Sequence, residues 1–284
     1  MPVSPLISVV VTTYNRSDAL LAVLQGLATQ TDGHFEVVVA DDGSRAEHQR
    51  AVLDAPVSRT LGLTHVWHPD VGFTASRVRN RGVAAARGDY IILLDGDCVP
   101  EVDFIAQHRR LAQPGHFVNG SRVLLSPELT HRVLLGEASI VGRGAMYWIG
   151  ARLRGRASKL AHLARLPDGA YRCRTSFSWK GIRSCNMGLW RSDYEKVDGF
   201  DESFVGWGHE DADFVLRLHH AGMVRKNGFC ATEVYHLWHP EATRTQESAN
   251  ASTVRERART TMTQATLGFS QLRTNDDAVI STLG

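Results

Sequence analysis

Three short apolar runs, at residues 6–11, 35–40 and 90–94, constrain this chain more than any other feature. Each is aliphatic or β-branched without polar alternation, so each reads as a strand buried on both faces. Each also stops at a polar cluster: Thr12 to Asn15, Asp41-Asp42-Gly43-Ser44, and Asp95-Gly96-Asp97. Helical signals separate the runs. Ser17 or Asp18 can cap a helix to Leu27, with Leu20, Leu21, Leu24 and Leu27 on one face. Residues 63–67 add a strand, and residues 75–87 a helix with Gly88 as its expected C-cap. The alternation predicts an α/β fold with a parallel sheet covered on both faces. In such sheets ligands sit beyond the carboxyl ends of the strands, where the three polar clusters fall.

Past Pro100 the pattern changes. Residues 101–111 read as a helix, and 127–175 are Arg-rich with irregular periodicity. No acidic residue lies between Glu137 and Asp168, while Arg143, Arg152, Arg154, Arg156, Lys159 and Arg165 are basic. A solvated, mobile loop is the plain reading. Two sharper ones are a basic flap over a phosphate-bearing acceptor, or peripheral contact with anionic lipid aided by Met146, Tyr147, Trp148 and Ile149. Further on come a strand at 184–190, short and long helices at 193–197 and 210–221, and a strand-like run at 234–239. Residues 241–284 are polar, with a helical patch at 254–266.

The chain's 284 residues allow one large domain or two that share a core. Its 32 Lys and Arg against 30 Asp and Glu leave a charge of +2, which gives no reason to expect nucleic acid as a partner. Cys98, Cys173, Cys185 and Cys230 have neither zinc-site nor redox spacing, and are expected to be reduced thiols of a cytoplasmic protein. The run at 6–11 is too short to span a bilayer and lacks a positive flank, so a soluble protein is expected.

Four motifs carry chemistry. In Asp95-Gly96-Asp97 two carboxylates at a strand end can share a hard cation that keeps sites open for phosphate oxygens. Asp41-Asp42-Gly43-Ser44 is either a tight turn or a carboxylate facing a base N–H. Gly206-Trp207-Gly208-His209-Glu210-Asp211 opens a helix with two acids, where the dipole favours the ionised form and a carboxylate can take a proton from a hydroxyl. Trp207 between glycines offers a flat face to a sugar ring. Val234 to Pro240 carries His236 and His239, whose spacing puts them on opposite faces of a regular strand, so that only a bend would bring both to one site.

In this order the motifs resemble the family 2 glycosyltransferases of GT-A fold. Val9-Val10-Val11-Thr12-Thr13-Tyr14-Asn15-Arg16, Asp41-Asp42-Gly43-Ser44, Arg79-Asn80-Arg81-Gly82 and Asp95-Gly96-Asp97 carry the first half of the resemblance. Asn186-Met187-Gly188, Gly199-Phe200-Asp201-Glu202 and the 206–211 motif carry the second, which is similar to the β-1,4-galactosyltransferase and chondroitin-polymerase branch. The resemblance implies a Rossmann-like nucleotide-binding sheet fused to an acceptor-binding subdomain. Residues 1–100 would be the nucleotide-sugar half and 101–240 the acceptor and catalytic half, with the Arg-rich segment at 143–174. Residues 241–284 would be an extension. It also implies inverting transfer, dependent on Mn²⁺ or Mg²⁺, from a nucleotide-diphosphate sugar, UDP-linked, to a hydroxyl of a glycan or glycolipid.

By matching position, Thr12, Tyr14, Arg16 and Asp41 would hold the nucleoside, and Arg79 and Asp95 the ribose or diphosphate. Asp97 and His236 would bind the metal, with Asp95 and His239 as further candidates. Asp211 would be the base, and Glu210, Trp207 and Gly208 would position the acceptor. The chain departs from the family at His209, where a smaller residue is usual, and in the Arg-rich segment, which has no counterpart. The implied location is the cytoplasm, at the inner membrane face if that segment meets lipid. A sugar-1-phosphate nucleotidyltransferase ranks lower, because no Gly-rich basic loop follows the first strand. A nicotinamide dehydrogenase ranks lower still, lacking G-x-G-x-x-G. A non-catalytic sugar- or nucleotide-binding module is disfavoured by the joint presence of Asp97, Asp211 and His236.

Overall fold

A computed structural model describes residues 4–179, 181, 182, 184–206, 208–240, 247–274 and 277–283. Strand β1 (Ile7–Thr13) shows why the apolar runs are continuous. Ile7, Val9 and Val11 enter one buried cluster and Val10 the other, on opposite faces of the sheet. Strand β2 (Phe35–Asp41) divides in the same way, sending Val37 and Val39 to one side and Val38 and Ala40 to the other. Helix α1 (Ser17–Ala28) covers the first face with Leu20, Val23, Leu24 and Leu27.

Two helices that the sequence reading passes over, α2 (Ala46–Leu53) and α3 (Pro56–Leu61), lead into β3 (Thr64–Trp67). Helix α4 (Ala75–Ala85) covers the second face with Val78 and Val83. It ends two residues before the expected Arg87, and Gly88 is not its cap. Gly88 instead packs against β1: its N–H donates to Ser8 Oγ at 2.7 Å, and a Cβ there would lie 2.5 Å from that oxygen. Strand β4 (Tyr90–Asp95) follows, then the short β5 (Cys98–Pro100) and α5 (Phe104–Leu111), which starts three residues later than expected.

The second half is more ordered than its periodicity suggests. Strands β6 (His116–Asn119) and β7 (Ser121–Leu124) flank Gly120, and helices α6 (Pro127–Leu134) and α7 (Ala145–Leu153) occupy the Arg-rich region. That region is not a solvated loop. Trp148 of α7 is fully buried and stacks on Tyr235, with ring centroids 4.5 Å apart. Arg156 pairs with Glu128 and Arg165 with Asp103. There follow β8 (Cys173–Arg174), β9 (Asn186–Trp190), α8 (Arg191–Lys196), α9 (Glu210–His220), β10 (Val224–Asn227), β11 (Glu233–His236), α10 (Glu247–Arg257) and β12 (Val279–Thr282). The helical patch expected at 254–266 is therefore shifted towards the N-terminus.

Among the described residues the main sheet has nine strands in the order β12-β3-β2-β1-β4-β9-β6-β10-β8. The expected parallel sheet is its β3-β2-β1-β4 part; β9 runs antiparallel to β4, and β12 antiparallel to β3. A second, three-stranded sheet has the order β5-β11-β7. The chain reverses its winding between β1 and β4, which opens a crevice at their carboxyl ends. The C-terminal segment packs on the core: Val254 of α10 joins Phe204, Ala212 and Leu216 in a buried cluster. No helix of the described residues is long and apolar enough to cross a membrane.

Candidate active site

The crevice begins where β1 and β4 end. Thr12 and Asp95 are register partners, and Thr12 Oγ1 donates to Asp95 Oδ1 at 3.0 Å. The Gly96 N–H donates to the Thr12 carbonyl at 2.7 Å, and a Cβ on Gly96 would meet that oxygen at the same distance. Only glycine lets Asp95-Gly96-Asp97 fold back so tightly.

Strand pairing then brings the histidines in. β5 directly follows Asp97 and pairs with β11, so Cys98 stands beside His236. The Leu237 N–H donates to the Asp97 carbonyl at 2.9 Å. The chain bends after β11, and both histidines face Asp97. His236 Nε2 lies 3.7 Å from Asp97 Oδ1 and His239 Nε2 3.2 Å from Oδ2. Burial raises the Asp97 carboxyl above its ordinary range; the His236 imidazole opposes that, and the Asp95 charge adds to it. Burial lowers His236, and Asp97 partly offsets it. Ligand atoms of Asp97, Cys98 and His236 lie within 4.8 Å of one another. Cys98 was not singled out from the sequence, although its place next to Asp97 is the signal that could have found it. A carboxylate with imidazoles fits Mn²⁺ better than Mg²⁺, which prefers oxygen ligands alone.

Across the crevice, α4 supplies Arg79, only 5% exposed. Its Nη2 donates to Asp95 Oδ1 and its Nη1 to Glu210 Oε1, each at 3.3 Å. Its guanidinium lies 5.2 Å from the centre of the Phe200 ring. Burial works against the Arg79 charge, but Asp95, Glu210 and Asp211 outweigh it and hold the group protonated.

Glu210 and Asp211 form the first turn of α9. The first turn does favour ionisation of Asp211, through the Ala212 amide, but burial outweighs it. Burial pushes its carboxyl up to about 7, the Glu210 charge adds to that, and Arg79 and the backbone amides of Ala212 and Ser184 oppose it. The loop before the helix is left-handed at Gly206, Gly208 and His209, with φ of 77°, 106° and 69°. Asn250 of α10 braces this loop by donating to the Gly208 carbonyl at 2.9 Å. Trp207 lies outside the described residues.

The remaining candidates line the other end of the crevice. Asp41 is 2% exposed; Oδ1 accepts from the Ser44 N–H at 2.8 Å, and Oδ2 lies 3.1 Å from His65 Nε2. The Ser44 bond is the tight turn read from the Asp41-Asp42-Gly43-Ser44 motif; His65 was not foreseen, because it stands in no recognisable motif. Tyr14 is 49% exposed and donates to Asp70 at 2.9 Å, while Arg16 pairs with Asp18 at the rim. Thr12, Arg79, Asp95, Glu210 and Asp211 thus converge with the Asp97 cluster, whereas Asp41, Tyr14 and Arg16 stand apart from them.

Comparison with known proteins gives this arrangement a context. A model of glycosyl transferase family 2 matches residues 8–174, and one described as the N-terminal domain of galactosyltransferase matches residues 165–240. Validoxylamine A glucosyltransferase of Streptomyces hygroscopicus subsp. jinggangensis is 30% identical over 232 residues, covering 77% of this chain and 52% of that protein. Chondroitin synthase of Escherichia coli is 26% identical over 231 residues, covering 76% of this chain and 32% of that protein. The chain thus spans about half, or less, of the length of these curated relatives. Among solved structures, the mannosyltransferase PcManGT of Pyrobaculum calidifontis, in complex with GDP-Man and Mn²⁺, superposes with a TM-score of 0.58 at 17% identity, covering 89% of this chain and 65% of that one. Staphylococcus aureus TarS does so with a TM-score of 0.58 at 14% identity, covering 88% and 39%. The shared fold is GT-A.

The electrostatics of the first turn of α9 make one prediction. In carboxyl ¹³C NMR the Asp211 side chain should titrate near 7, and Glu210→Gln should move that midpoint towards the ordinary range by removing the like charge and freeing Arg79. An unchanged midpoint in the variant would contradict this assignment of causes.

Proposed function

The chain belongs to glycosyl transferase family 2, and from that premise we propose that it transfers a sugar from a nucleotide-diphosphate donor, UDP-linked, to a hydroxyl of a glycan or glycolipid, with inversion. The observation that carries this reading is the Arg79 bridge. It holds Asp95, beside the Asp97 cluster, and Glu210, beside the half-buried Asp211, around one crevice. The solved mannosyltransferase with GDP-Man and Mn²⁺ supports the donor class and the metal by likeness of fold.

Asp97, His236 and His239 would hold the cation, with Asp95 beside them. Bound there, a divalent ion would act as a Lewis acid towards the departing diphosphate. Tyr14, Arg16 and Asp41, with Thr12 beside Asp95, would hold the nucleoside. Arg79 and Asp95 would orient the ribose and diphosphate. Glu210, Gly208 and Trp207 would position the acceptor. Asp211 would take the proton of the acceptor hydroxyl as its oxygen attacks the anomeric carbon. The bond from that carbon to the diphosphate oxygen breaks as the new bond forms on the opposite face, which inverts the centre. A base near 7 suits this task, since about half of it is ionised at neutral pH and it is basic enough to accept a proton. A retaining double displacement would instead need a carboxylate nucleophile on the face of the ring opposite the leaving group, and a second attack from the leaving-group side.

Asp211→Asn should keep UDP binding and lower transfer from a UDP-sugar by about 10² to 10⁴, the usual range for general base catalysis. Normal turnover in that variant would remove the base assignment.

The Arg-rich segment supports peripheral contact with an anionic membrane. Met146 and Leu153 are 82% and 83% exposed, with Ile149 between them on one face of α7. Arg143, Arg152 and Arg154 are exposed around them. An apolar stripe rimmed by arginines suits an anionic lipid surface. In sedimentation with phosphatidylcholine vesicles containing phosphatidylglycerol, Met146→Ser with Leu153→Ser should weaken binding by about tenfold or more. Equal binding by both proteins would refute the contact.

A further inference from the structure

A groove of about 320 Å³ opens one strand away from the metal-binding candidates. In the small sheet β7 runs parallel to β11, with Leu124 beside His236 and Arg122 beside Val234. Side chains two apart on a strand share a face, and Arg122 and Leu124 both line the groove. Neighbouring strands are about 4.8 Å apart, so the groove lies within one sugar unit of His236.

The other wall comes from the Arg-rich segment. The Ser158 N–H donates to the Leu124 carbonyl at 3.0 Å, and Ser158 Oγ accepts from the Leu124 N–H at 2.8 Å. Lys159 Nζ donates to Ser121 Oγ. These bonds fix both walls before any ligand arrives. Asn119 and Asn227 add amide groups, and Phe229 adds a half-exposed aromatic face. Among the described residues, no Asp or Glu lines the groove. Two cations, hydroxyl and amide groups and one aromatic face form a lining for a sugar that carries negative charge.

We propose that this groove is a subsite for a carboxylate- or phosphate-bearing sugar unit of the acceptor. The proposal rests on the transferase reading and names its acceptor class. The acceptor, rather than the donor, is favoured by the third wall. Gly181 lines the groove, and three residues on, the Ser184 backbone amide reaches the Asp211 carboxylate. Gly181 and Ser184, three positions apart in the sequence, thus serve the groove and the base that would meet the acceptor.

The test is an NMR titration of the full chain with D-glucuronate, glucose 6-phosphate and D-glucose at low salt, read at the backbone amides of Ser121 and Ser158. Both anionic sugars should bind at least about tenfold more tightly than glucose, as one charge-assisted hydrogen bond would give. Lys159→Gln should abolish that preference, and so should Ser158→Asp, which adds a like charge at an exposed position. Equal affinity for all three sugars would overturn the proposal, as would a preference that survives both variants. A parallel titration in the presence of UDP and Mn²⁺ separates donor from acceptor. Displacement of UDP by the anionic sugars would assign the cations to the donor and overturn the proposal; simultaneous binding supports it. The sugar titration itself needs no nucleotide, so a failure of UDP to bind would count against the transferase reading and not against the groove.

Discussion

The guanidinium of Arg79 lies between Asp95, at the end of β4, and Glu210, at the start of α9, 3.3 Å from each. The first carboxylate belongs to the N-terminal half of the chain and the second to the C-terminal half. Without the arginine, Asp95, Glu210 and Asp211 would face one another with no positive charge between them. Breaking such a buried pair by removing one partner costs about 3–5 kcal/mol, because the charge left behind has no compensation. The same charge keeps Asp211 from rising further. One residue therefore joins the halves and tunes the carboxyl proposed as the base.

A second network steadies α9 from behind. Arg257 of α10 donates to Asp201 at 2.8 Å and to Asp213 at 2.7 Å, and Arg217 donates to the other oxygen of Asp213 at 2.8 Å. Both aspartates are buried, so two positive groups compensate two negative ones out of contact with water. Hydrogen bonds from Ser203 and Thr266 help to hold Asp201 down to about 2 against the upward pull of burial. Asn250, seven residues before Arg257, braces the Gly208 carbonyl. The polar C-terminal segment is thus part of the frame around the site.

The sequence was legible where one physical requirement dominated. β1, β2 and β4 are apolar on both faces because helices cover both, and the acids after them lie at strand ends because the sheet is parallel there. The Glu210 helix was readable from its acidic first turn. Other features depend on tertiary contacts that no local pattern records. α7 looks like a basic loop because its buried face rests largely on one residue, Trp148, which stacks on a strand 87 residues away. β6 and β7 are four residues each, too short for a periodicity to show. That both His236 and His239 reach Asp97 depends on the bend after β11. The raised carboxyl of Asp211 reflects burial overriding the helix dipole, and burial at that position is a property of the packed crevice. Gly88 shows the converse case: a residue expected to end a helix is there because Ser8 approaches it too closely for a side chain.

The central claim is that the Asp97 cluster and the Arg79 bridge form one metal-dependent nucleotide site. Calorimetric titration of UDP into the full chain, with and without Mn²⁺, tests it most directly, with Asp97→Ala as the control. The expected result is binding that requires Mn²⁺ and is lost or strongly weakened in the variant, while the variant's unfolding transition stays cooperative. UDP binding that is indifferent to Mn²⁺, or undiminished in Asp97→Ala, would contradict it.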